Sequence, residues 1–170
     1  MRPWLALSTT VSAALFAGAL TANAGATELR LEVAIPRMAV AEYHAPYLAF
    51  WLKHADSGEI VPLGLWYDDQ EKWLKDLRLW WRRTGRGQSR PYDGLTGATR
   101  RPGTHSVDFS ELPAFSDLPE GDYQLVVEAA REVGGREVVR LPFQWPATGN
   151  QTVRADGEQE LGRVQLRLAP

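Results

Sequence analysis

Residues 66–85 read WYDDQEKWLKDLRLWWRRTG, and this stretch restricts the fold more than any other part of the chain. Trp73, Leu74, Leu77, Trp80 and Trp81 recur at i, i+1, i+4, i+7 and i+8, which is one face of a 3.6-residue period. Lys72, Lys75, Arg78, Arg82 and Arg83 lie outside that stripe. The spacing predicts one amphipathic helix over about 69–83. Asp68 and Glu71 stand three apart in the manner of a capping box, with Asp replacing Ser or Thr. Arg82 and Arg83 fall where the helix dipole favours cations, and Gly85 is placed to take a left-handed residue past the helix end. A face carrying that much indole needs an apolar partner, and the rest of the chain offers strands.

Residues 28–35 alternate, with Leu29, Leu31, Val33 and Ile35 set against Glu28, Arg30, Glu32 and Ala34. Residues 46–54 are aromatic and branched and read as a central strand. The segment 60–67 is extended, with Pro62 implying an edge or a bend, and the turn 56–59 joins the two as a hairpin. The stretch 84–101 reads as a long loop rich in glycine and arginine, a length that marks function or disorder. Strands follow at 104–109, 122–132, 136–145 and 161–168, with Gly134-Gly135 as a hairpin turn and Pro142 arguing for an edge. Residues 147–160 read as irregular. About seven strands joined mostly by hairpins predict a mainly β antiparallel sandwich carrying one inserted helix.

The first residues belong to a different pattern. A short basic head, an apolar run from 5 to 20 and the A-x-A site at 22–24 read as a cleaved signal peptide over 1–24, with a single domain over 25–170. The apolar run is short for a bilayer span, no other stretch qualifies, and the expectation is an exported protein with no stable membrane span after cleavage. The chain has no cysteine, so disulfides contribute nothing. Its net charge of −2 hides an asymmetry. Nine lysines and arginines face three acidic residues between 71 and 101, whereas the remainder after residue 24 holds nine basic and eighteen acidic residues. A basic segment on an acidic body suits an anionic ligand, a lipid surface or an acidic partner, or it is simply a solvated helix face and loop.

Motifs for chemistry are sparse. His44, His54 and His105 lack the spacing of a zinc or copper site. There is no G-x-S-x-G, no Walker A and no Rossmann pattern, and helix capping accounts for the Asp68-Asp69 pair. The exception is the loop 93–103, DGLTGATRRPG, where glycines expose backbone N–H groups beside Thr96, Thr99, Arg100 and Arg101. Such a loop holds a phosphate, a carboxylate or an acidic side chain, or it is structural. Trp66, Trp73, Trp80, Trp81 and Tyr92 beside arginines would stack a planar ligand such as a sugar, a flavin or a haem, unless they form the contact of helix with sheet.

The segments TGATRRPG (96–103), LPEGDYQLVVEAARE (118–132), KWLKDLRLWW (72–81) and PYLAFW (46–51) together resemble domain-of-unknown-function family 2271, a family of predicted periplasmic proteins. The PEGDYxL turn and strand also resemble the immunoglobulin-like domain of flagellar hook-capping proteins, although the loop 110–118 lacks that pattern's Gly-Arg or Asp-Gly turn. The resemblance implies a periplasmic protein near FMN transferases and membrane flavoproteins with PepSY domains, in an envelope redox or iron-related system. It assigns no activity.

The expectation is therefore an immunoglobulin-like β-sandwich in the periplasm that acts as a non-enzymatic binding or accessory module. Its contact surface would be Arg82, Arg83, Thr96, Thr99, Arg100, Arg101 and Trp80, meeting an anionic ligand or an envelope flavoprotein system. No catalytic residue, metal, resident cofactor or nucleic-acid partner is expected. The alternatives are a carrier holding flavin or haem on the Trp and Arg surface, and an enzyme with an unrecognised site.

Overall fold

A computed structural model describes residues 28–68, 70–115 and 117–170; the expected signal peptide lies outside the described residues. Nine strands form two sheets. They are β1 (Glu28–Ile35), β2 (Tyr47–His54), β3 (Ile60–Tyr67), β4 (Leu95–Ala98), β5 (Gly103–Asp108), β6 (Gly121–Ala130), β7 (Arg136–Trp145), β8 (Gln151–Asp156) and β9 (Arg163–Ala169). One sheet has the order β5-β1-β9-β8 and the other β4-β3-β2-β6-β7. The second follows the G-F-C-C′-C″ order of a variable-type immunoglobulin sheet, read from β7 to β4. In the first, β9-β1-β5 follows A-B-E, with the A position filled from the C-terminal part of the chain. The immunoglobulin-like expectation holds at this level.

Two strands exceed the expected seven. β4 lies in the stretch read as a long loop, and β8 in the stretch read as irregular. β4 also breaks the antiparallel rule, because it pairs parallel to β3, Gly64 opposite Leu95 through Tyr67 opposite Ala98. Parallel neighbours need a crossover rather than a tight turn, and the helical segment between β3 and β4 supplies it. Gly94 permits the approach: its φ is +86°, and a Cβ there would stand 2.4 Å from the Leu63 carbonyl carbon. Pro62 lies beyond the reach of β4 and opposite Trp51, beside the irregularity between Phe50 and Trp51, so its missing N–H leaves no ladder position empty.

The core between the sheets takes Leu29, Leu31, Val33 and Ile35 from β1, Leu48, Phe50 and Leu52 from β2, Leu125 and Val127 from β6, and Leu141 and Phe143 from β7. The opposite face of the five-stranded sheet is also buried. Tyr47, Ala49, Trp51, Leu65, Val126 and Ala130 pack there against Leu74, Leu77, Trp80 and Tyr92. The molecule is thus a sandwich with a third, partial layer, and the expectation that tryptophan lies against a sheet holds for Trp80, which is 3% exposed. Trp73 and Trp81 are only half-buried, and Trp66 belongs to the inter-sheet core.

The single helix over 69–83 is corrected. A 3-10 helix, Glu71–Asp76, is followed by a six-residue α-helix, α1 (Arg78–Arg83), with Leu77 breaking the run at ψ 70°. Helices this short do not persist alone in water. Full burial of Leu74, Leu77 and Trp80, about 1.5–3 kcal/mol each, supplies the difference. The capping box is absent as well. Asp68 Oδ1 accepts from the Gln70 N–H at 2.8 Å and from the Tyr47 hydroxyl, while Glu71 pairs with Arg90. Gly85 is not left-handed; a Cβ there would lie 2.4 Å from the Trp80 ring, so the indole excludes any side chain. At the β6–β7 turn the left-handed residue is Val133, φ +53°, rather than Gly134 or Gly135.

Candidate functional site

Arg78 and Arg82 stand four apart on α1, and Lys75 comes from the preceding 3-10 segment; all three are exposed. With Trp81 and with Arg136, the first residue of β7, they line an open cleft of about 460 Å³. A second hollow of about 410 Å³ shares Arg78 and Arg136 and adds Asp76, Ala130, Arg131, Val133, Gly134 and Gly135. The two form one continuous basic surface between α1 and the β6–β7 hairpin.

A buried carboxylate fixes this arrangement. Glu128, on the helix-facing side of β6, has no solvent exposure. It accepts from the Leu79 N–H at 3.0 Å, the Trp80 N–H at 2.7 Å and Arg136 Nε at 2.6 Å. One side chain therefore ties the start of α1 to the central sheet and holds Arg136 at the cleft. Arg131 is engaged as well, by a fork of bonds from Nε and Nη2 to Glu160 at 2.9 and 3.1 Å. Lys75, Arg78 and Arg82 make no ion pair among the described residues. Arg78 and Arg82, four apart on α1, repel by a few tenths of a kcal/mol, so these cations are not there to hold the helix together.

The hairpin side of the surface is braced by Glu137. Burial pushes its carboxyl up, but backbone N–H groups of Glu158, Leu161, Gln159 and Glu160 outweigh that and hold it below the usual value of 4.5. The bonds run from 2.5 to 3.1 Å and clip the β8–β9 turn, at the edge of one sheet, to β7 at the edge of the other.

The structure separates the residues expected to act together. Arg82 lies in the cleft, and Arg83 is exposed at the end of α1 but lines neither hollow. Trp80 is buried beneath the helix, edge-on to Tyr92, and presents no stacking face to solvent. Thr96 lines a different hollow of about 340 Å³ with Tyr67, Asp68, Arg90, Gly97 and Ala98. Thr99 works as a clip: its hydroxyl donates to the Pro46 carbonyl, and its N–H donates to the Tyr67 carbonyl at 3.1 Å. The Arg100 guanidinium sits 5.3 Å from the centre of the Trp66 ring, a cation–π contact. Arg101 is exposed, and its carbonyl accepts from His105 Nε2 at 2.8 Å. Neither Arg100 nor Arg101 pairs with a described carboxylate.

Sequence reasoning did not bring Lys75, Arg78, Trp81 and Arg136 together in one cleft. The first two were visible in the spacing to Arg82; Arg136 arrives through the hairpin and carried no local signal. Among the described residues no group of three or more His, Asp or Glu side chains is placed to hold a metal ion. No helix of the described residues is long and apolar enough to cross a membrane.

Comparison with known proteins matches most of the chain to a family. Residues 28–163 fit a family described as predicted periplasmic protein (DUF2271), the family to which the sequence motifs were likened. No curated protein and no solved structure matches significantly, and the likeness to flagellar hook-capping domains finds no support there. The match takes in β1 to β8 and only the first residue of β9, together with the helical segment and both lobes of the basic surface. On that coverage the chain belongs to the DUF2271 family of periplasmic proteins.

Proposed function

We propose that this periplasmic protein is a non-enzymatic binding or accessory module whose contact surface is the cleft of Lys75, Arg78, Trp81, Arg82 and Arg136, and that its partner is anionic there. The observation that carries the reading is the convergence of Lys75, Arg78 and Arg82, unpaired among the described residues, on an open cleft beside a half-buried indole. Clefts lined by one sign of charge raise the local concentration of opposite charge and the rate of encounter. The sandwich supplies a rigid support, because Glu128 and the apolar layer fix α1 to the central sheet. Within an envelope flavin, redox or iron-related system the partner would be an acidic face of a membrane flavoprotein or of an FMN transferase.

A second reading rests on Trp81. Its indole at the wall of a cationic cleft suits a planar anionic ligand, a flavin phosphate or a haem, so that the protein would act as a carrier.

Tripolyphosphate serves as a compact soluble probe for both readings. The wild-type protein should bind it with an affinity that falls as salt rises. Arg78→Glu with Arg82→Glu should weaken binding at least about tenfold, while Arg100→Glu with Arg101→Glu should leave it nearly unchanged. Equal losses in the two double variants would place the anion elsewhere. FMN or haem quenching of indole fluorescence that disappears in Trp81→Ala would select the carrier reading.

A further inference from the structure

The basic surface contains a residue that a soluble anion does not explain. Val133 stands at the tip of the β6–β7 hairpin, with 85% of its surface exposed, and is the most exposed of the three large hydrophobic side chains that face solvent among the described residues. Its φ of +53° is a left-handed backbone that β-branched residues rarely adopt. Gly134 and Gly135 follow directly, yet neither takes the left-handed position. Strained backbone of this kind persists where the surrounding structure enforces it, and it concentrates at functional surfaces. Here the enforcement is visible: the Gly134 N–H donates to the Arg131 carbonyl at 3.0 Å, the Arg131 N–H to the Gly135 carbonyl at 3.1 Å, and the Gly135 N–H to Glu160 at 2.7 Å. The apolar tip rims the same hollow as Arg78 and Arg136, which continues into the cleft of Lys75, Arg82 and Trp81.

We propose that this face docks on a bilayer whose surface carries anionic phospholipid headgroups. Val133 enters the boundary between headgroups and acyl chains, Trp81 lies at headgroup level, and Lys75, Arg78, Arg82 and Arg136 meet phosphates. The proposal rests on the anion-binding reading of the cleft and goes beyond it by naming the partner surface. The combination is what a membrane interface selects: a protruding apolar side chain, an amphipathic indole beside it, and cations around both. A free phosphate or a small planar anion would use the cations and the indole but would leave the valine in water. Of the carboxylates nearby, Glu128 is taken by Arg136, Glu160 by Arg131 and the Gly135 N–H, Glu137 by backbone N–H groups of Glu158 to Leu161, and Glu132 is turned toward His44 Nδ1 at 3.7 Å, while Asp76 lines the hollow. Against Asp76 the surface presents Lys75, Arg78, Arg82, Arg131 and Arg136, of which Arg131 and Arg136 have buried carboxylate partners and the other three make no ion pair among the described residues. The periplasm is bounded by membranes, so this occupant is always within reach of the protein.

The test uses the protein purified from the periplasmic fraction, vesicles of phosphatidylglycerol mixed with phosphatidylcholine, vesicles of phosphatidylcholine alone, and tripolyphosphate. Wild type should sediment with the anionic vesicles and not with the neutral ones. Val133→Asn is the informative variant, because asparagine accepts a left-handed backbone and removes the apolar side chain without changing charge. It should melt at the same temperature as wild type or higher and keep its affinity for tripolyphosphate, yet bind anionic vesicles about tenfold less well. Arg78→Glu with Arg82→Glu should lose both ligands. Tripolyphosphate binding without vesicle binding overturns the bilayer proposal and leaves a soluble anion or an acidic protein as the partner. Unchanged vesicle binding in Val133→Asn also overturns it. Failure of wild type to bind either probe rejects the cleft itself.

Discussion

Glu128→Ala is the substitution with the most specific expected cost. The wild-type carboxylate is inaccessible to solvent and accepts from three N–H donors at 2.6 to 3.0 Å. Truncation strands them unequally. The Trp80 N–H belongs to a residue 3% exposed and has no access to water, so its loss lies within the range of an unsatisfied buried donor, about 1–3 kcal/mol. The Leu79 N–H is only part-buried and recovers a water, for a loss of under about 1 kcal/mol. The Arg136 side chain is 35% exposed and turns to solvent, which reduces the loss of its pairing to about 1 kcal/mol or less. The sum is about 3 kcal/mol. A fully buried pair would exceed this when broken, so the exposure of Arg136 decides the figure.

Urea unfolding followed by tryptophan fluorescence measures it. Because Trp80 reports on α1, the near-ultraviolet dichroism of the native protein shows whether the helix has left the sheet. Glu128→Gln keeps one acceptor oxygen but points an amide donor at another donor, and should cost about half as much. A double-mutant cycle with Arg136→Ala should return a coupling of about 1 kcal/mol or less. A loss under about 1 kcal/mol for Glu128→Ala, with an unchanged denaturant slope, would refute the claim that this carboxylate anchors α1.

The remaining expectations concern the supports of the same surface. Gly85→Ala would set a Cβ 2.4 Å from the Trp80 ring, so the indole or the turn must move; a loss of about 1–3 kcal/mol is expected in urea unfolding, with Trp80 emission altered. For Glu137 the folded state holds the carboxyl below its unfolded value near 4.5, so the unfolded chain binds more protons on the acid side. Its contribution is complete above that value and is lost as pH falls through the lower, folded one. Glu137→Gln should therefore lower stability at neutral pH and flatten the acid slope, as thermal unfolding across that range will show.

How much of this was legible depended on whether a residue's partner is local. The strand β1 alternates because only one of its faces is covered: Leu29, Leu31, Val33 and Ile35 are buried, and Arg30 is exposed on the other face. β2 does not alternate. Tyr47 through Leu52 are buried without interruption, the pattern of a strand covered on both faces. That run, set against the amphipathic stretch 71–83, already implies a helical layer over a central strand. The break at Leu77 was not legible, since the apolar stripe is the same for a continuous helix and for a 3-10 turn followed by an α turn. β4 was hidden because its four residues are mostly exposed and gain strand geometry from β3 alone. The capping expectation failed because Asp68 meets Tyr47, twenty-one positions away, instead of the helix it precedes.

The loop expected to make contact is read differently in the fold for a related reason. Glycine, threonine and arginine in 94–103 look like an anion-binding loop when only neighbours in sequence are weighed. In the fold, much of that loop is occupied internally. Thr99 closes onto Pro46, Arg100 covers Trp66, and Gly94 lets β4 approach β3. Polar atoms already bonded to the protein's own backbone are not available to a ligand at the same strength, because a bond to the ligand would have to replace one already made. Lys75, Arg78 and Arg82, like Arg100 and Arg101, pair with no described carboxylate; Arg82 Nε donates to the Arg78 carbonyl at 3.3 Å, and α1 is held by groups on its other side, Glu128 and the apolar layer. Charge reversal on the exposed side should therefore change what the protein binds without unfolding it, whereas substitution on the buried side should do the opposite. Arg78→Glu alone should even stabilise α1 slightly, because a carboxylate in its first turn would stand four residues before Arg82, replacing a repulsion with an attraction and facing the helix N-terminus. That separation of binding from stability across one short helix is the physical property expected of a contact surface.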